Sequence, residues 1–123
     1  MKSTALQEMR TADLVELFAH IGVAQDEAAL GGEIAKYNRL FERMTEVANE
    51  MKSRDGDQRL ALVQLFVHPN MHVRLQAAKK TLAVAPLEAR QQLEAIASSK
   101  WFPQAGDAGM SLWNLDRGVF KPT

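Results

Sequence analysis

The fold class predicted by this sequence is all-α: five to six short helices packed as stacked antiparallel hairpins. Three observations predict it. Apolar residues recur at i, i+3, i+4 and i+7 through almost every segment. Breakers fall at the ends of most of those stretches, at Gly31-Gly32, Asp55-Gly56, Pro69-Asn70, Pro86, Pro103 and Gly118, although Gly22 lies inside the first stripe. No segment sustains the period-2 alternation of a strand.

The first predicted helix spans about residues 11–30. Leu14, Leu17, Phe18, Ile21, Ala24 and Ala28 form its stripe, with Thr11 or Ser3 as N-cap. Gly31 and Gly32 end it, because glycine readily supplies a left-handed C-terminal residue. The second helix carries one unbroken face of Ile34, Tyr37, Leu40, Phe41, Met44, Val47, Ala48 and Met51 through about Lys52. Glu42, Glu46 and Glu50 occupy its polar side. Asp55 and Gly56 break the chain, and Asp57 caps a third helix with Leu60, Val63 and Phe66 on one side and Leu62 and Leu65 beside them. Pro69 closes that helix, since the residue before a proline is pushed out of the α region.

Asn70 is the expected N-cap of a fourth helix with Val73, Ala77, Ala78, Thr81 and Leu82 on its inner face. Pro86 sits in the first turn of a fifth helix, residues 86–99, which buries Leu87, Ala89, Leu93 and Ile96. Pro103 opens a sixth, weaker helix through Leu112 and Leu115 to about Arg117, interrupted by Gly106 and Gly109 and ended by Gly118. The loops are short, so neighbouring helices should pair one with two, three with four and five with six. The 123 residues are expected to form one domain, with 1–10 and 119–123 weakly packed.

Residues 57–99 resemble a HEAT repeat followed by half of the next. The resemblance rests on Pro69, Asn70, Val73, Arg74, Ala77, Ala78 and Leu82, with Ala85-Pro86 opening the following helix. It implies a HEAT-like α-α superhelix in which Asn70, Arg74, Ala77 and Ala78 are structural. His68 stands where such a unit carries its usual turn aspartate, so the resemblance does not supply the Asp–Arg ladder of longer arrays. Arg74 is instead expected to bridge two hairpins by reaching Asp55, Asp57 or Asp107. Nearly the whole chain is also similar to a small bacterial family of unknown function with an α-α superhelical fold. The carrying residues are Gln25-Asp26, Tyr37-Asn38-Arg39-Leu40-Phe41, Gly56-Asp57 and Gly106-Asp107-Ala108-Gly109-Met110. That resemblance implies no activity, cofactor or catalytic residue.

The bulk composition narrows the function classes. With 46% apolar and 24% charged residues the chain is ordinary globular protein. Without cysteine it has no disulfide, thiol nucleophile or thiolate metal site. No run approaches the roughly 20 apolar residues of a membrane span, and Met1–Arg10 lacks the apolar stretch of a signal peptide, so the expected location is the cytoplasm. Fifteen basic side chains balance fifteen acidic ones. Nucleic-acid binding through Arg59, Arg74, Lys79, Lys80 and Arg90 is disfavoured by that zero balance and by the lack of aromatics among them. The charge is nevertheless unevenly spread. Residues 1–50 hold five basic and nine acidic groups, a net of −4, and residues 51–123 hold ten and six, a net of +4. Such a dipole steers an asymmetric partner or favours head-to-tail association, unless it reflects no more than solvated helix faces.

No catalytic constellation stands out. His68 and His72 are spaced i, i+4, but Pro69 and Asn70 place a helix boundary between them and no third ligand is near in sequence. His20 follows Glu16 by four residues, which suits a simple contact. There is no Gly-x-Ser-x-Gly elbow and no phosphate loop, so neither a catalytic residue, a metal nor a cofactor is expected. Two groups are candidate binding residues. Gln25, Asp26, Asn38 and Arg39 flank the first two stripes, as an inter-helix clamp or as a groove. Trp101 and Trp113, with Phe102 and Phe120, place half of the chain's aromatic residues in its last 23 positions, as a cap on the open end of the helical stack or as interface anchors. The expected function is a non-catalytic protein–protein interaction module binding a protein partner or a second copy of itself. The alternative is a small-molecule binder or cryptic enzyme using the Gln25, Asp26, Asn38 and Arg39 cluster.

Overall fold

A computed structural model describes residues 6–123. Every regular element among them is helical. In chain order these are α1 (Thr11–Leu30), α2 (Ile34–Ser53), a 3₁₀ helix (Gln58–Val67), α3 (Met71–Lys80), α4 (Pro86–Ser98) and α5 (Gln104–Asp116). The all-α expectation holds, and the predicted limits of the first, fifth and sixth helices and the end of the second fall within about one residue of those found. Ser3 lies outside the described residues. No helix is long and apolar enough to cross a membrane among the residues described. The chain divides into two compact units, Met1–Ala61 and Leu62–Thr123.

The first unit is the α1–α2 hairpin. Its turn closes where the Glu33 and Gly31 amides donate to the Ala28 and Glu27 carbonyls at 2.8 and 3.0 Å, and Gly32 takes the left-handed φ of +70° that lets the chain reverse. Leu14, Val15, Phe18, Ile21 and Ala28 of α1 are buried with Met44, Val47, Ala48 and Met51 of α2. Thr11 does not cap α1. It is the first helical residue, and its hydroxyl accepts from Arg54 instead. Leu6, in the segment expected to pack weakly, is buried, and its carbonyl accepts a 2.9 Å bond from Arg54.

The apolar stripe of α2 is not buried along its whole length. Its second half is core, whereas Ile34 is 73% and Phe41 45% exposed, with Tyr37 and Leu40 half-buried between them. A stripe identifies a face, and only a neighbour can bury it.

The segment after Asp57 is 3₁₀ rather than α-helical. Asp57 initiates it at a φ of +52°, its carboxylate accepting from the Arg59 amide at 3.3 Å and the Arg59 guanidinium at 2.7 and 2.9 Å. The guanidinium hydrogen bond holds the Asp57 carboxyl below its ordinary range.

In the second unit α4 and α5 pack as a hairpin and α3 packs on both. Leu75, Ala78, Leu82, Ala89, Leu93, Ile96 and Ala108 form the core, with Phe66, Met71, Leu112 and Leu115 against it. Asn70 caps α3 as expected, its side-chain oxygen accepting from the Val73 amide at 3.1 Å. Ala77 and Ala78 are completely buried. The Thr81 hydroxyl, also buried, donates back to the Ala77 carbonyl at 2.9 Å, so a polar group ends α3 without costing an unmade bond.

Candidate interaction surface

The last helix presents one face outward. At 100° per residue Gly106, Met110, Trp113 and Arg117 lie within about 60° of one another, with Gly109 beside them and Phe102 one turn before Gly106. Phe102, Met110 and Trp113 are 69%, 57% and 55% exposed, and Trp101 next to Phe102 is 63% exposed. The opposite side of the same helix is core: Ala105 and Ala108 are buried and Leu112 half-buried. The two tryptophans therefore stand on the surface. They do not cover the core of this unit.

Backbone geometry fixes the start of this face. The Ser99 hydroxyl accepts from the Trp101 amide at 3.1 Å, and the Trp101 carbonyl accepts from Ala105 at 2.8 Å. The Phe102 ring lies over Gly106, where an added Cβ would stand 3.8 Å from it. At Gly109 a Cβ would meet nothing within 4 Å. Gln104 points inward and is buried, and its Oε1 meets no donor among the described residues.

The charges on this face are basic. The Arg117 guanidinium carbon sits 4.6 Å from the centre of the Trp113 ring, a cation–π distance. Lys100, Arg117 and Lys121 make no ion pair among the described residues. The acids of α5 are already engaged within the unit. Asp107 pairs with Lys79 at 3.0 Å and accepts from the Ser111 hydroxyl at 3.2 Å; Asp116 pairs with Arg90 at 2.8 Å. The Arg90 hydrogen bond lowers the Asp116 pKa, and the same contact raises that of Arg90.

Beside this face a cleft of about 220 Å³ is lined by Lys79, Leu82, Ser111, Asn114 and Phe120. Ligand pockets usually enclose about 300–1,000 Å³, so this one is small for a metabolite.

The four polar residues of the first unit differ in burial. Gln25 is completely buried within the hairpin, Asp26 is half-buried, and Asn38 and Arg39 are exposed. The cleft at the α1–α2 turn is lined by Ala28, Ala29, Gly32, Ile34 and Tyr37 instead. Asn38 does share a helix face with the exposed Ile34 and Phe41, at i+4 and i−3.

Arg74 is corrected. Its Nε donates to the His68 carbonyl, six residues upstream in the turn before its own helix. It makes no ion pair with Asp55, Asp57 or Asp107; Asp57 is held by Arg59 and Asp107 by Lys79. The arginine that ties distant segments together is Arg54, which sequence reasoning did not single out. It pairs with Glu50 at 2.8 Å and donates to the Leu6 carbonyl and the Thr11 hydroxyl, 48 and 43 residues away. Its one sequence signal was Glu50 at i−4. His68 does not stand with His72 as a ligand pair. Its Nδ1 accepts from the Asn70 amide at 3.0 Å, within the turn that starts α3. No group of three or more His, Asp or Glu side chains converges to hold a metal among the described residues.

No curated protein matches the chain. It is similar to a solved structure, the protein RPA1889 from Rhodopseudomonas palustris CGA009, at 66% identity and a TM-score of 0.94, over 96% of this chain and 98% of that one. The similarity to a small bacterial family of unknown function is therefore borne out. A family model matches residues 12–116, all five α-helices, and the chain belongs to the domain of unknown function family DUF2019.

Proposed function

We propose that this protein is a non-catalytic protein–protein interaction module whose contact surface is the outer face of α5. One observation carries the reading: Trp101, Phe102, Met110 and Trp113 are each more than half exposed along one end and one face of that helix. A large aromatic side chain buries about 150–250 Å² when covered, so these residues offer on the order of 300 Å² of apolar area. That is within the range of the largest patch a monomer exposes, which is often functional, and its Trp and Arg are the usual anchors of an interface centre. Arg117 on Trp113 and the neighbouring Lys100 give the patch a basic rim suited to an acidic partner surface. A cytoplasmic location fits a chain without cysteine.

The test is affinity capture from the native host with the wild-type chain and with Trp113→Asp as bait. Trp113 is more than half exposed, so circular dichroism should show the same helix content for both baits. A partner retained by the wild type and lost with Trp113→Asp supports the reading. Partners retained equally by both baits would remove α5 as the contact surface.

A further inference from the structure

We infer that the cleft beside α5 is a binding site for a small carboxylate carried on a short apolar body. This site is separate from the α5 contact surface and does not depend on it. Lys79 comes from the end of α3, Leu82 lies just beyond it, and Ser111, Asn114 and Phe120 come from α5 and the chain that follows. Ser111 and Asn114 stand i, i+3 on α5 and so share one side of it. After Gly118, at a φ of +72°, the Val119 and Phe120 amides donate to the Asn114 carbonyl at 2.9 and 3.2 Å. That turn returns Phe120 to the wall of the cleft.

The polar side of the cleft offers donors that the fold does not use. The Asn114 side chain is half-buried, and its amide meets no partner among the described residues. Covering such an amide costs free energy unless something bonds it. The Lys79 ammonium gives one of its three donors to Asp107 at 3.0 Å, which leaves two. The Ser111 hydroxyl donates to the same Asp107 oxygen at 3.2 Å. Asp107 is thus balanced by its own neighbours, and no acidic side chain is among those that line the cleft. An ammonium and a primary amide side by side suit the two oxygens of a carboxylate.

The rest of the lining is apolar. Leu82 is buried and Phe120 is 47% exposed, so an apolar body laid against them takes the Phe120 ring out of water. The volume of about 220 Å³ restricts that body to a single ring or a short chain. The surroundings favour an anion. Residues 62–123 carry seven basic and four acidic groups, a net of +3. Of those acids Asp107 is paired with Lys79, and Glu94 and Asp116 with Arg90. The field of the unit therefore selects a carboxylate over a neutral ligand of the same shape.

The experiment is a titration of the full chain followed by amide NMR. Phenylacetate is the probe, phenylacetamide its uncharged analogue, and acetate the charge without the ring. Phenylacetate should shift the Asn114 side-chain amide together with the Ser111 and Phe120 backbone amides, saturably, and should bind more weakly at high salt. Phenylacetamide and acetate should each bind about tenfold or more weakly, since one loses the charged hydrogen bonds and the other the apolar contact. Asn114→Leu and Lys79→Gln should each lower the affinity for phenylacetate by a similar factor, with unchanged circular dichroism. Phenylacetate that shifts none of these amides up to its solubility limit overturns the site. Phenylacetamide binding as tightly as phenylacetate overturns the carboxylate, and acetate binding as tightly overturns the apolar body. Both variants binding like wild type would place the probe elsewhere and overturn the assignment to this cleft.

Discussion

Arg54 and Arg74 lie 20 positions apart, and their surroundings give them different weights. Arg54 is mostly covered; its guanidinium is shared between a half-buried carboxylate on its own helix and two oxygens in a segment more than 40 residues away. Arg74 makes one local bond to a turn carbonyl. Removing a charged donor costs more when a partly buried charge is left behind it. Arg54→Ala should therefore destabilise by about 2–3 kcal/mol, as Glu50 and the Leu6 carbonyl lose their partner. Arg74→Ala should cost only about 1 kcal/mol. Chemical denaturation of the two variants checks the ordering, and equal losses would contradict it. The sequence could announce Arg74, because Val-Arg followed by a small-residue pair is a recognisable pattern. It could not announce Arg54, whose partners are fixed by how residues 6–11 pass the end of α2. Asn70 lies at the other extreme: an N-cap is a local device, legible wherever a short polar residue precedes an apolar periodic stretch, and it is found capping α3.

At the level of elements, the apolar stripes placed the helices well because each is long enough for period 3.6 to separate from its alternatives. The segment 58–67 shows where this stops. Leu60, Val63 and Phe66 stand three apart, as do Leu62 and Leu65, but Leu62 and Phe66 stand four apart, so threes and fours mix as in an α-helical stripe. A 3₁₀ helix eclipses residues i and i+3, and this mixed spacing does not separate it from an α-helix. Burial was less legible. Ile34 and Phe41 continue the α2 stripe but lie beyond what α1 covers, and nothing in the spacing distinguishes a covered turn from an uncovered one. The α5 glycines have a similar double meaning. Gly109 sits in mid-helix with no neighbour that an added methyl would meet. Its own fold does not require it, and a helical glycine costs roughly 0.5–1 kcal/mol against alanine. Gly109→Ala should accordingly raise stability by about that amount, measured by denaturant midpoint at constant slope. Lower stability would mean that this part of α5 is less open than described. A stabilised variant that has also lost the captured partner would identify the glycine as a provision for close approach at the surface rather than for the fold.

For the whole molecule, the question is how two compact units behave as one protein. Each holds about sixty residues, a size at which a chain buries only about 60% of its unfolded surface and is marginally stable alone. The boundary between them, Ala61 to Leu62, falls inside the 3₁₀ helix Gln58–Val67, not in a linker rich in glycine, proline or polar residues. Melting either unit by itself would therefore have to break a continuous helix whose Leu62 and Leu65 are buried. On this reasoning we expect the single domain anticipated from chain length. Scanning calorimetry should show one transition, with a calorimetric enthalpy of about 85 kcal/mol at roughly 0.7 kcal/mol per residue and a van't Hoff enthalpy equal to it. Two transitions, or a van't Hoff value near half the calorimetric one, would make the units independent folding bodies.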